Sequence, residues 1–198
     1  TVWPNQKVIV EAEKALWNFL LMKVPHVRDE LNEENINRIR VELVEKDNSL
    51  KFNLTEFRKK VVKELLLKIG LDENEAIYYS HESFNEFFKV RNKVQLYKDA
   101  KTILDRLHRK VVVGSLSNGN ADLSIIGIKT FFDFSICSKD VGSNKPSPQH
   151  FLKALELAEC EPEEVVHVGD CPVNDVGGAR NCNICLLYTS DAADDVLC

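Results

Sequence analysis

The stretch VVHVGDCPVNDVGGAR, residues 165–180, sets an apolar run directly before two aspartates and a glycine-rich turn. The run around Val165–Val168 reads as a short strand, and the segment carrying Gly177, Gly178 and Ala179 as a helix packed closely on a sheet. Gly169 lets the chain turn sharply at the strand end, so Asp170 projects into the loop and Asp175 lies on the following turn. A buried sheet has no structural use for two carboxylates at its edge. Mg²⁺ takes hard oxygen ligands, commonly one or two protein carboxylates completed by waters and phosphate oxygens, and two converging acids suit it. The plainer reading is that both acids favour the positive end of a helix dipole. His167, alternately placed in the strand, reads as a satisfied core histidine rather than a catalyst.

The same rhythm recurs upstream. A helix carrying Ala100, Ile103, Leu104 and Leu107 leads into the strand KVVVGSL at 110–116, and a short apolar run, FDFSIC, follows at 132–137. A helix with Phe151, Ala154, Leu155 and Ala158 precedes Val165, and ICLLY at 184–188 closes the series. Short strands alternating with helices specify an α/β fold, a Rossmann-like parallel sheet with helices on both faces. Chemistry in such sheets gathers beyond the carboxyl ends of the strands. That rule selects three loops: Ser117–Asn120, the segment around Lys145, and Asp170–Asp175.

Ser117, Asn118 and Gly119 offer a hydroxyl, an amide and backbone N–H groups at an expected helix N-terminus, which suits an anion. The alternative is that Ser117 or Asn120 caps that helix. Lys145 precedes Ser147-Pro148, a helix start with Ser147 as N-cap and Pro148 at the first helical position. Held there, Lys145 neutralises a phosphate or a carboxylate; otherwise it is a solvated charge. Hydroxyl, lysine and carboxylates together would surround one phosphoryl group, but they include no nucleophile.

From Lys7 to Asn92 the pattern is helical throughout. Val8, Ala12, Ala15, Leu16 and Phe19 recur at helical spacing, as do Phe57, Val61, Leu65 and Ile69, with Asn53 or Thr55 as caps and Gly70 as a stop. Phe84, Phe87 and Phe88 mark a third helix. The basic cluster RKKVVKE at 58–64 reads as the solvated face of its helix.

A net charge of −5 and a sequence pI near 5.6 argue against nucleic acid as a partner. No apolar run approaches the roughly 20 residues that cross a bilayer, so no membrane association is expected. Six cysteines without a framework spacing point to a reducing compartment, the cytoplasm. Cys182 and Cys185 form a C-x-x-C with no second pair, a weak zinc or redox signal. Nothing in the sequence speaks to oligomeric state.

Ser117-Asn118-Gly119-Asn120 after a strand, Lys145 in K-P-S-P, and G-D-x-x-x-x-D at 169–175 stand in this order. Together they resemble the second, third and fourth motifs of the haloacid dehalogenase superfamily of hydrolases. RNKVQLYKDA at 91–100 resembles the segment by which such chains re-enter the core from a helical cap. The likeness is greatest to phosphatases of flavin mononucleotide, nucleotides or sugar phosphates. It implies residues 1–6 as the remnant of a first motif, 7–92 as the cap and 93–188 as the core. LLYTSDAADD is similar to translated adapter sequence, so 189–198 is expected to be an artefactual or disordered tail.

The resemblance implies a Mg²⁺-dependent phosphatase of a small phosphorylated metabolite. Asp170 and Asp175 would serve the metal, Asp175 directly or by orienting Lys145. Ser117, Asn118, Gly119 and Lys145 would hold the phosphoryl group, Ser117 and Lys145 as catalytic residues. The family's nucleophile and its acid–base partner form an Asp-x-Asp-x-Thr motif. Thr1 fits its threonine, which places both aspartates upstream of this sequence, and no Asp-x-Asp occurs in the 198 residues. Each opposite-charge contact is worth roughly 4 kcal/mol at 4 Å and an effective dielectric of 20. The remaining groups cannot make good a missing nucleophile, so the chain as written is expected to be inactive. The first strand, central in that family, would also be missing, leaving two sheet edges unpaired. A carbon–halogen hydrolase on the same fold, needing no metal, is one alternative; a non-catalytic phosphate- or partner-binding protein is the other.

Overall fold

The computed structural model describes residues 2–188 and the backbone of Val196–Leu197. Thr1 and most of the expected tail lie outside the described residues. The chain divides into two compact units, one of Pro4–Gln95 and one of the N-terminal residues with everything from Leu96 onward.

The first unit is helical. It runs α1 (Asn5–Lys23), α2 (Glu33–Lys46), α3 (Leu54–Lys68) and α4 (Glu73–Arg91), with 3-10 turns at Pro25–Asp29 and Asn48–Lys51. Val8, Ala12, Leu16 and Leu20 form the buried stripe of α1, a strict four-residue repeat. It meets Val61, Val62, Leu65 and Leu66 of α3 and Phe84 and Phe87 of α4 in one core. Three side chains set the helix starts: Asn32, Asn53 and Asp72 each accept an N–H from the first turn that follows. Each such cap is worth about 1 kcal/mol. Of the two caps considered for α3, Asn53 is the one used, and Gly70, at φ +93°, ends that helix.

The second unit carries α5 (Ala100–His108), β1 (Gly114–Ser117), α6 (Leu123–Ile126), β2 (Phe134–Cys137), α7 (Ser138–Val141) and α8 (Gln149–Ala158). It continues with β3 (Val166–Gly169), a π-helical turn (Pro172–Gly177), α9 (Gly178–Asn181), β4 (Cys185–Tyr188) and β5 (Val196–Leu197). The strands are parallel, as the βα rhythm requires, except that β5 runs antiparallel beside β4. They form two sheets, β1–β2 and β3–β4–β5. Among the described residues β1 and β3 each have a strand on one side only. The valine run is correspondingly shifted from expectation. β1 begins only at Gly114, Val111 and Val112 lie more than half exposed, and Val113 pairs through its N–H and C=O with Asp133. Without a neighbour on the open side, those first valines have no ladder to join.

α8 holds the two sheets in one core. It packs on β1 and β2, while its buried Phe151 joins Leu186 of β4 and Ala179 of α9, with Leu116 of β1 against the same cluster. Phe151 also meets the His167 ring of β3 edge-on, centroids 5.1 Å apart. A Cβ at Gly178 would stand 2.3 Å from the Phe151 ring, so the close helix approach read from the sequence is needed at that glycine. Two helix starts differ from expectation. Pro148, not Ser147, is the N-cap residue of α8, and the Ser147 hydroxyl instead donates to the Gln149 side chain. Asp122, not Ser117 or Asn120, caps α6 by accepting from Ser124 and Ile125.

β4 is flanked on both sides and β1 on one. Hydrogen exchange should therefore show slower exchange for β4 amides such as Leu186 than for β1 amides such as Ser115. Equal protection of the two strands would contradict the split sheet.

Candidate active site at the strand ends

Asp175 is placed by the absence of a side chain two residues beyond His167. A Cβ at Gly169 would lie 2.4 Å from the Asp175 Cβ, so the turn after β3 folds its carboxyl group back into the space that glycine leaves. His167 and Gly169 share one face of β3, and the carboxylate settles beside both. Asp175 Oδ1 accepts from Lys145 Nζ at 2.7 Å and from His167 Nε2 at 3.0 Å, while Oδ2 accepts from the Cys171 N–H at 3.0 Å. Burial alone would raise this carboxyl's pKa. The His167 hydrogen bond, the bond and charge of Lys145 and the Cys171 N–H outweigh that and hold it well below the usual carboxylate range.

Lys145 is the other half of the arrangement. Its side chain is 9 % exposed against 7 % for Asp175. The ammonium also donates to the Leu116 carbonyl at 2.9 Å, so one nitrogen joins the end of β1 to the turn after β3. Asn118 fixes its backbone from both sides: Oδ1 accepts from the Lys145 N–H at 2.7 Å and Nδ2 donates to the Lys145 carbonyl at 3.0 Å. The Lys145–Pro146 peptide is cis. Two of the three ammonium hydrogens are used on the described residues, which leaves one for an oxyanion.

The Ser117 hydroxyl accepts from the Gly119 N–H at 2.9 Å, closing the loop after β1 and leaving its own hydrogen to donate. This loop is not a helix N-terminus as the sequence suggests, because α6 begins only at Leu123 behind its own Asp122 cap. Its capacity for an anion therefore rests on the hydroxyl and on backbone N–H groups, without a helix dipole. The Asn118 side chain is committed to Lys145. Asp170 follows Gly169 at the end of β3 and is exposed. Asn118, Lys145 and Asp175 are thus joined in one hydrogen-bonded chain, Ser117 and Gly119 are bonded to each other in the loop that carries Asn118, and Asp170 stands at the adjoining strand end.

Two histidines complete the surroundings. His167 is satisfied, as its strand position suggests, and its partner is Asp175. The signal in the sequence is the spacing His-x-Gly, which sets a ring and a gap on one strand face before an aspartate. His150 of α8 is fully buried, donating from Nε2 to the Ser117 carbonyl at 3.4 Å, and its Nδ1 has no partner among the described residues. Burial lowers its pKa, the Ser117 contact opposes this, and the Lys145 charge lowers it further. Cys182 is a buried free thiol, and Cys185 is disulfide-bonded. Among the described residues no three His, Cys, Asp or Glu side chains cluster as a metal cage, and no helix is long and apolar enough to cross a membrane.

Comparison with known proteins agrees with this geometry. The family model of haloacid dehalogenase-like hydrolases matches residues 1–183. The chain is 27 % identical over 179 residues to the 5-amino-6-(5-phospho-D-ribitylamino)uracil phosphatase YigB of Escherichia coli, covering 90 % of this chain and 75 % of that protein. It is 34 % identical over 130 residues to a phosphoserine phosphatase of Thermus thermophilus, covering 63 % of this chain but only 51 % of the relative. Among solved structures, a 2-haloacid dehalogenase from Pseudomonas syringae superposes with a TM-score of 0.91 at 32 % identity, covering 99 % of this chain and 87 % of the other.

The depressed Asp175 carboxyl makes a testable demand on acid stability. Above the unfolded value of about 3.9 the group is ionised in folded and unfolded chains alike, and its contribution is complete. Below that value the unfolded chain takes up the proton first, so stability falls as pH drops toward the folded value. Urea unfolding at a series of pH values should show this acid limb in the unaltered chain and a shallower one in Asp175→Asn. Identical acid limbs would contradict the pairing.

Proposed function

Because the chain belongs to the haloacid dehalogenase-like hydrolase family, we propose that it is the body of a Mg²⁺-dependent phosphatase acting on a small phosphorylated metabolite. The observation that carries this reading is the buried Lys145 ammonium, fixed by Asp175 and Leu116 with one hydrogen to spare, beside the Ser117 hydroxyl. That set matches a phosphoryl group, whose oxygens want a fixed positive charge and short donors. The names of the Escherichia coli and Thermus relatives refer to a phosphorylated ribitylamino compound and to phosphoserine, both small phosphate esters.

Asp170 suits a metal that needs one protein carboxylate and completes its shell with phosphate oxygens and water. Asp175, whose oxygens are engaged by Lys145, His167 and Cys171, suits the orienting role instead. When bound, Mg²⁺ supplies positive charge to offset that of the transferring group. Ser117 and the N–H groups of its loop orient the phosphoryl oxygens. Lys145 balances their charge, and Asn118 keeps that lysine in place. The aspartyl nucleophile of this chemistry is not among the 198 residues, which hold no Asp-x-Asp. The substrate stays within the class of small phosphate esters, flavin mononucleotide, nucleotides and sugar phosphates included. Its setting would be the cytoplasm.

The likeness to the 2-haloacid dehalogenase of Pseudomonas syringae supports a second reading: carbon–halogen hydrolysis on the same fold, without a metal. Asp170 separates the two. In the protein extended through its native upstream residues, Mg²⁺ should be required for phosphate release from p-nitrophenyl phosphate, and Asp170→Asn should abolish it. Lys145→Met should lower kcat by about 10²–10³-fold, as expected for losing a fixed electrostatic donor. Halide release from 2-chloropropionate that is indifferent to Mg²⁺ and to Asp170→Asn would overturn the phosphatase reading in favour of the second.

A further inference from the structure

The basic cluster on α3 is solvated only in part: Lys60 and Lys63 make surface ion pairs, but Arg58 and Lys59 lie against aromatic rings. Arg58 is turned inward, its guanidinium 4.3 Å above the centre of the Phe87 ring, and Lys59 lies 5.3 Å over Phe84. The Arg58 side chain is 20 % exposed, and its one ion pair in the described residues is a single 3.5 Å contact to Glu13. That is long for a guanidinium–carboxylate bond, which is ordinarily near 2.8 Å and often made by two parallel N–H groups. One turn beyond Phe87 on the same face of α4 is Arg91. It is 3 % exposed, and its Nε and Nη1 have no partner among the described residues. Burying an arginine without a counter-charge costs several kcal/mol, so the positive charge here is in excess. Burial lowers the pKa of both arginines; Glu13 opposes this at Arg58, while repulsion from Arg40 adds to it, and at Arg91 repulsion from Arg58 adds to it.

Arg58 also lines a cavity of about 210 Å³ within the helical unit. Trp17, Leu16 and Phe57 give it apolar walls, and Arg40 and Glu13 share its polar part with Arg58. This volume is below the roughly 300–1,000 Å³ of pockets for drug-sized ligands, so it suits a molecule of one ring and a short side chain. Two guanidinium groups and one carboxylate line the cavity, and Arg91, which does not line it, adds a further buried positive charge that repels Arg58. From this juxtaposition we infer that the helical unit binds a small organic carboxylate, with its apolar body against Trp17 and Phe57 and its carboxylate on Arg58 and Arg40. Glu13 acts as the internal counter-ion that the ligand supplements. This site is additional to the phosphoryl site and does not depend on the phosphatase reading.

Phenylacetate, which cannot be turned over by a phosphatase, is the probe. Isothermal titration into the 198-residue chain without Mg²⁺ should show saturable binding of one molecule per chain. Phenylacetamide, of the same shape without the charge, should bind at least tenfold more weakly, as should phenylacetate to Arg58→Met. Absence of saturable binding at millimolar phenylacetate would overturn the proposal, and so would equal affinity for phenylacetamide. Circular dichroism checks that Arg58→Met folds. If it does not, Arg40→Gln, altered at an exposed position, decides: weaker binding supports the site and unchanged affinity overturns it.

Discussion

Burying the Lys145 ammonium costs several kcal/mol unless its hydrogens meet oxygen, and the arrangement of the strand ends follows from meeting that demand. The nitrogen takes the Leu116 carbonyl from one sheet and the Asp175 carboxylate from the turn beyond the other. Asp175 can reach it only because Gly169 leaves room, and it stays ionised because His167 and the Cys171 N–H bind it as well. Asn118 holds the lysine's own backbone. Four loops or strand ends therefore converge on one charge. With β1 and β3 in different sheets, this node and the α8 core around Phe151 are what connect them.

The same constraint prepares the chemistry. A lysine free in a loop would lose rotamer entropy on meeting a phosphoryl group; this one has already been ordered by folding. Its remaining hydrogen points to a use that packing does not require. The cost of assembling the site is met in the folded state, as catalysis by preorganised charge demands. The helical unit shows a different treatment of positive charge. Arg58 and Lys59 lie over aromatic rings, and Arg91 is buried without a carboxylate, so charge there is held by packing more than by pairing.

Much of this was legible in the sequence because it rested on periodicity and on glycine. The four-residue stripe of α1 and the strands at 134–137, 166–169 and 185–188 fall where the apolar pattern puts them. The loops of Lys145 and Asp175 were legible as neighbours through the topology of parallel sheets, while their pairing was implied only by the family resemblance, as one of two roles for Asp175. What local pattern does not encode is the neighbour. The valines at 111 and 112 read as strand, yet a strand exists only where another pairs with it. Ser147 and Ser117 read as caps, yet the chain found Pro148 and Asp122. The cluster at 58–64 read as solvated because a helix face carries no mark of the aromatic residues that pack against it. Phe84 and Phe87 lie on another helix, and only the fold brings them beneath Arg58 and Lys59.

The central claim is that Lys145 and Asp175 act as one buried unit at the strand ends. A double-mutant cycle in urea at neutral pH tests it most directly, using Lys145→Met, Asp175→Asn and the pair. Each single change should cost about 3–5 kcal/mol, because it strands a buried charge or its partner. The double variant should lose little more than either one, giving a large coupling energy. Losses that simply add would mean the two side chains do not depend on each other, and would contradict the account.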